Sequence, residues 1–170
     1  MTTFNADSVA DFMAKANQKY GGQDLGDTEA KPSFKYGGFK DGKIAKLEFS
    51  CPIEMDYAEF GSGKPDENNK KAIKKVAGIA AAHEKRHKEG YEKAFKDFDP
   101  KETASDLMGK TFKTKSDADK AIKDSFKTLQ KALLDACLDL HKKEGVVDVD
   151  QQADGTFKIT EKAAGATGCR

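Results

Sequence analysis

The segment from Ala80 to Tyr91 places the strongest constraint on the fold, because it contains the pattern His-Glu-x-x-His. On a helix, residues four apart lie on one face, so His83 and His87 can direct two imidazole nitrogens at one point. Two such histidines supply two of the three protein ligands of a catalytic zinc. Glu84 can reach a water in the open position, where it would act as general base. The pattern therefore predicts Zn²⁺ at His83 and His87, with Glu84 as the catalytic residue.

The helix that carries this pattern has a well-defined apolar stripe. The stripe continues through both histidines to Phe98, so we expect His83 and His87 to point inward, where a metal is shielded. The alternative is that the motif is a chance match on an exposed, charged helix. The charged residues that surround the two histidines support this alternative. These neighbours are Lys85, Arg86, Lys88 and Glu89.

Composition limits the classes of partner. The chain has 170 residues, with 30 basic and 29 acidic side chains and a net charge of +1. This balance favours neither nucleic acid nor an anionic membrane surface, and no apolar stretch is long enough to span a bilayer. We expect a monomer. The start of the chain lacks the basic and then apolar run of a signal peptide, so either export does not use that route or a signal was removed.

Apolar periodicity predicts an α+β fold with a short antiparallel sheet packed on the motif helix and a second long helix. The helices are expected at residues 7–20, 66–98 and 116–143, and residues 101–109 are expected to form a short helical or irregular connection. Residues 43–50 are predicted as an edge strand after a hairpin turn at Asp41-Gly42, and residues 146–149 and 156–160 as a small hairpin. Residues 23–33 and 53–65 are predicted as loops. We expect one catalytic domain over residues 1–162, with an N-terminal helix and loop at 1–30 and a disordered tail at 163–170.

The third zinc ligand is not fixed by the motif. In one group of zinc enzymes, a glycine lies three residues after the second histidine, and the third ligand lies three residues after that glycine. Here Gly90 is in place, but the ligand position is Lys93, and a protonated lysine is a poor ligand. A ligand from a later helix would be His141, whose alternative role is to favour the dipole at a helix C-terminus. Five carboxylates remain rivals: Glu102, Asp106, Asp135, Asp139 and Asp154.

The three cysteines match no zinc ribbon. Cys51 and Cys137 can pair if the compartment is oxidising. The interpretation that we favour is two buried free thiols. Cys169 belongs to the tail.

The order of these elements resembles a bacterial family of predicted secreted zinc-dependent proteases. The matching parts are residues 43–52, residues 73–87 with the motif, and the helix that ends near Leu140. The family ending contains a histidine where this chain has Asp154. The resemblance implies a zincin-like fold, peptidase activity and secretion.

The sequence thus favours a small zinc metallopeptidase that hydrolyses peptide bonds in a peptide or protein substrate. His83, His87 and His141 would hold Zn²⁺, and Glu84 would activate the water. The alternative is a non-enzymatic helical binding or structural protein, or an inactive relative of the zincins that keeps the metal without cleaving peptides.

Overall fold

The computed structural model describes residues 1–22, 24–165 and 169 of the chain. The predicted α+β class is confirmed, with small and mainly antiparallel sheets. Among the described residues, none of the helices combines the length and the apolar character that a membrane span requires. In chain order the elements are β1 (Thr2–Phe4), α1 (Val9–Tyr20), β2 (Gly26–Ala30), β3 (Ser33–Tyr36), β4 (Phe39–Lys40), β5 (Lys43–Ile44), β6 (Leu47–Ser50), β7 (Ile53–Phe60), α2 (Glu67–Asp97), α3 (Pro100–Gly109), α4 (Lys115–His141), β8 (Gly145–Gln151) and β9 (Phe157–Ala163).

The chain divides into two compact units. The first consists of Met1–Glu29, Glu54–Lys88 and Cys137–Arg170, and the second of Ala30–Ile53 and Glu89–Ala136. Helices α2 and α4 each contribute residues to both units. The expectation of a single domain over residues 1–162 stays a prediction.

In the first unit, α1 and the N-terminal half of α2 share one apolar core. Phe12 of α1 and Ile73 and Val76 of α2 are fully buried. A three-stranded sheet in the order β1-β7-β2 contributes to this core, with β1 parallel to β7 and Ala58 fully buried. The hairpin β8–β9 is antiparallel, pairs Gly145 with Ala163, and contributes Val147. Apolar burial on this scale drives the packing of these elements.

The start of α2 is fixed by a cap that also holds α1. The carboxylate of Asp66 accepts a hydrogen bond from the backbone N–H of Asn69 at 2.8 Å. Its carbonyl accepts the first intrahelical bond from Lys70 at 2.8 Å, as expected of an N-cap residue. The side-chain oxygen of Asn69 in turn accepts the backbone N–H of Val9 at 2.9 Å. The first turns of α1 and α2 are therefore linked.

The second unit packs two antiparallel strand pairs against helices. β3 pairs with β6, and β4 with β5 through the predicted turn, where Asp41 and Gly42 both have positive φ. Aromatic contacts join strands to helices, with ring centroids 5.1 Å apart for Phe34 and Phe126 and 5.3 Å for Phe49 and Phe98. Such aromatic pairs add to the burial of their surface.

Two of the predicted loops are wrong, because each contains a strand. Residues 53–65 contain β7, where apolar Ile53 and Met55 alternate with acidic residues, and the glycine-rich stretch after the strand obscured this alternation. Residues 23–33 contain β2, whose inward positions are filled by Gly26 and Thr28 rather than by large apolar side chains. Threonine favours strands but glycine does not, so this stretch lacks the large apolar residues at alternate positions that indicate a strand.

The predicted disordered tail is only partly described. β9 extends to Ala163, and the N–H groups of Ala164 and Gly165 donate to the carbonyl of His141 at 3.0 and 3.1 Å. Cys169 forms a disulfide. At these residues the structure therefore differs from the expected disorder, because a strand, a helix end and a covalent bond hold them. Residues 166–168 and 170 lie outside the described residues.

Candidate metal centre

Three histidines of the first unit bring their ring nitrogens together. His83 and His87 lie one turn apart on α2, and His141 is the last residue of α4. The Nε2 atom of His87 lies 3.1 Å from Nε2 of His83 and 2.9 Å from Nε2 of His141. Tetrahedral zinc with Zn–N bonds of about 2.05 Å places its nitrogens about 3.3 Å apart. The observed spacing is therefore close to that of a three-histidine metal site.

Hydrogen bonding alone does not account for this arrangement well. A neutral imidazole nitrogen carries either one N–H or one lone pair. Three Nε2 atoms that face a common point can therefore share at most a poor set of hydrogen bonds, whereas a cation would satisfy all three lone pairs. The cluster of His83, His87 and His141 can bind a metal ion.

Burial keeps the imidazoles of His83 and His87 neutral. The three histidine residues are 6–8% exposed. Burial, followed by the nearby His141, lowers the pKa of His83 to about 4, and burial, followed by His83 and His141, lowers the pKa of His87 to about 3. Both groups are thus uncharged near pH 7, and neutral histidine is the form that binds metals.

Two carboxylates face the other ring nitrogen of His83. Nδ1 of His83 lies 3.7 Å from Glu144 and 3.6 Å from Glu161, too far for hydrogen bonds but close enough to favour a proton on Nδ1. Arg86, one turn before Gly90 on α2, forms an ion pair with Glu144 and lies 3.6 Å from Glu161. A proton on Nδ1 leaves the lone pair of Nε2 for a metal, which is how partner carboxylates orient metal-binding histidines.

A disulfide contacts the third histidine. Cys137, one turn before His141 on α4, is bonded to Cys169, with Cα atoms 5.8 Å apart. The Cys169 sulfur lies 3.4 Å from Nδ1 of His141. A disulfide sulfur carries no hydrogen, so any hydrogen bond here is donated by Nδ1. The proton then lies on Nδ1, and Nε2 again has its lone pair.

Gly145 fits closely between two of the rings. Its φ is +128°, a conformation that other residues rarely adopt. A Cβ atom at this position would lie 2.7 Å from the Ala164 Cβ, 3.4 Å from Cε1 of His83 and 3.6 Å from Cδ2 of His141. The absence of a side chain thus allows the start of β8 to pack against the histidine cluster.

Glu84 lies on α2 beside His83 and is held against β2. The Thr28 hydroxyl donates a hydrogen bond to Oε2 of Glu84 at 2.7 Å. A Cβ atom at Gly26 would lie 2.5 Å from Cγ and 2.7 Å from Oε1 of Glu84, so only glycine leaves room for this side chain. Burial raises the pKa of Glu84 to about 7, although the hydrogen bond from Thr28 opposes the shift.

Of the residues predicted for the third ligand, His141 is the one that joins the two motif histidines within the described part of the chain. Asp154 instead accepts two hydrogen bonds from Thr156 in the turn between β8 and β9, and the exposed Asp139 pairs with Lys142. Asp135 is exposed and pairs with Lys131. Glu102 and Asp106 belong to the second unit. His141 as a ligand stays a prediction, now with a defined geometry.

The expectations for the cysteines are wrong in one respect. Cys137 is neither free nor paired with Cys51, because Cys169 is its partner. Cys51 is a free, half-buried thiol. The spacing of Cys137 and His141 places both on one face of α4, and this was a signal for their proximity. No local pattern indicated Cys169, which lies 32 residues away.

Other residues around the centre gave no sequence signal. Thr28 meets Glu84 across 56 positions, and Glu161 meets His83 across 78, so only the tertiary fold brings them together. Glu144 and Gly145 follow His141 closely, and this proximity to a predicted ligand was the one clue available.

No match to this chain was found among models of protein families, curated proteins or solved structures. The resemblance to zinc-dependent proteases therefore stays a prediction. What the centre can do follows from its residues alone.

Proposed function

We propose that this protein is a small zinc-dependent hydrolase that cleaves peptide bonds. The observation that supports it is the convergence of three buried imidazole nitrogens, from His83, His87 and His141, with Glu84 following His83 in the sequence. The resemblance of the motif region to predicted secreted zinc-dependent proteases supports a peptide as the substrate and an extracellular setting.

The donor set fits zinc. Neutral imidazoles suit Zn²⁺, and three protein ligands leave a fourth position open, as in catalytic rather than structural zinc sites. When bound, zinc polarises a carbonyl group and lowers the pKa of a coordinated water toward neutrality. His83, His87 and His141 would hold the ion, with the proton of His83 and of His141 on Nδ1.

Glu84 moves the proton in this proposal. Its carboxylate takes a proton from the attacking water and returns it to the amine nitrogen of the departing peptide. The Thr28 hydroxyl donates a hydrogen bond to Oε2, so the proposal assigns this transfer to Oε1. Gly26 allows the carboxylate to keep that position.

The direct test is Glu84→Gln, which keeps the size of the side chain and removes its basicity. We expect the variant to retain one zinc per chain and to lose hydrolysis of a peptide library by at least about 100-fold, the lower range for general acid–base catalysis. Glu67→Gln, an exposed position in the first turn of α2, serves as the matched control. Undiminished hydrolysis in Glu84→Gln would rule out this role.

A metal-binding protein without catalysis is the second candidate function. It is favoured by the 5% exposure of Glu84 and by the hydrogen bond that already engages its carboxylate. Under this function, the wild-type chain binds and is stabilised by zinc but cleaves no member of a peptide library. The protein would then be a binding or structural protein, or an inactive relative of the zincins.

A further inference from the structure

His141 has a potential set of metal ligands on each side of its ring. Nε2 faces His83 and His87, and Nδ1 lies 3.4 Å from the Cys169 sulfur. The potential ligand atoms of Cys137, His141 and Cys169 all lie within 4.8 Å of one another. Two cysteines and one histidine are a recognised donor set for zinc, once the two sulfurs are no longer bonded to each other.

The disulfide keeps the second set inactive. Sulfur atoms bonded to each other carry no negative charge and are at most weak acceptors, so metals bind the thiolate form of cysteine instead. With the disulfide intact, Nδ1 keeps its proton and Nε2 serves the three-histidine cluster. The state of Cys137 and Cys169 therefore bears directly on His141.

We propose that Cys137, Cys169 and Nδ1 of His141 form a second metal site when the disulfide is reduced. A neutral imidazole has a single lone pair, so binding through Nδ1 places the proton of His141 on Nε2. Reduction thus transfers His141 from the histidine cluster to the sulfur site. Thiolate ligands favour soft or borderline ions, and Zn²⁺ is the ion that both sites accept.

The redox step balances with a dithiol reductant. The dithiol gives two electrons and two protons, the Cys137–Cys169 bond breaks, and the reductant becomes a cyclic disulfide. When the metal binds, the two thiols release their protons to water. The proton on Nδ1 of His141 also passes to water, and Nε2 takes up another, so that His141 stays neutral.

This switch links the centre to its compartment. A reducing environment keeps protein thiols reduced, and an oxidising one allows disulfides to persist. The three-histidine site would therefore be complete only after oxidation. The second half of the inference, the transfer of His141, rests on the proposed zinc site, whereas the sulfur site does not depend on it.

Cobalt binding distinguishes the two sites, because thiolate ligation to Co²⁺ gives a near-ultraviolet charge-transfer band that histidine ligation does not. The experiment uses the full chain with the substitution Cys51→Ser, which removes the third thiol as a source of this band. The protein is examined with the disulfide intact, and again after reduction by a dithiol that is removed without air before Co²⁺ is added. We expect the band only in the reduced protein, and its disappearance on reoxidation.

Two variants in the same Cys51→Ser background make the test specific. The pair Cys137→Ser and Cys169→Ser should give no band in either state. His141→Gln should weaken the sulfur-bound cobalt by more than about tenfold, the scale expected when a metal site loses a supporting interaction. Circular dichroism checks that the reduced protein keeps its helices.

The inference is overturned if the reduced protein shows no sulfur band, if His141→Gln binds as tightly as its parent, or if reduction unfolds the chain. Failure of the proposed function is seen separately. In that case the oxidised protein would bind no metal or hydrolyse no peptide, and neither of these measurements uses the sulfur band.

Discussion

At the scale of single residues, the position of Glu84 depends on the absence of a side chain at Gly26. In Gly26→Ala, the new Cβ would displace the Glu84 carboxylate, at a cost of about 1–3 kcal/mol in stability. We expect zinc binding to persist while hydrolysis falls by roughly 100-fold, because a small misplacement of a catalytic group is costly.

Gly78→Ala is the matched control, since a Cβ there meets no atom within 4 Å. It should stabilise α2 by about 1 kcal/mol through helix propensity and leave hydrolysis intact. Equal loss of activity in both variants would contradict the proposed packing of Glu84 against β2. Peptide hydrolysis, zinc content and urea unfolding provide the three readouts.

The raised pKa of Glu84 predicts a pH dependence of the metal-free protein. The pKa is about 7 in the folded chain, against an ordinary value of 4.5 for a glutamate side chain, so the folded state binds more protons between these values. The wild-type chain should therefore lose stability relative to Glu84→Gln as the pH rises from 4.5 through 7, by at most about 3 kcal/mol. Urea unfolding of both proteins at about pH 5 and about pH 8, which together span most of this range, measures the difference in their free energies of unfolding. If the stability difference between the wild type and Glu84→Gln does not change with pH, the raised pKa of Glu84 is refuted.

At the scale of elements, β9 supports α2 through Glu161. Glu161→Gln removes one of the two carboxylates that face Nδ1 of His83, so we expect zinc affinity to fall about tenfold. Competition with a chelating dye measures the affinity. Glu48→Gln, at an exposed position of β6, should leave it unchanged. Identical affinities in the two variants would mean that Glu161 does not help to orient His83.

The elements also show how far the sequence could predict this site. Helices α2 and α4 were predictable, because their apolar stripes repeat at helical spacing and the motif lies in register with one of them. β2 was not, because its buried positions hold Gly26 and Thr28 instead of large apolar side chains at alternate positions. Since Thr28 meets Glu84, and Glu161 meets His83, only through tertiary packing, a single sequence could identify the candidate ligands but not the residues that hold them.

At the scale of the whole molecule, zinc binding should stabilise the fold, because the three proposed ligands come from two helices that are distant in sequence. A ligand that binds only the folded state contributes about 2.7 kcal/mol at 100 times its Kd. For a chain of this size, chelation should then lower Tm by roughly 5–10 °C. Thermal unfolding with and without chelator tests this, and a His83→Gln, His87→Gln double variant should show no change. A chelator effect of equal size in that variant would place the stabilising metal elsewhere.

Elemental analysis shows whether His83, His87 and His141 hold one zinc ion, as we propose. The oxidised wild-type protein and His83→Ala are reconstituted with zinc, dialysed and analysed side by side. We expect one zinc per wild-type chain and its loss in the variant. No zinc in the wild type, or the same zinc content in both proteins, would contradict it.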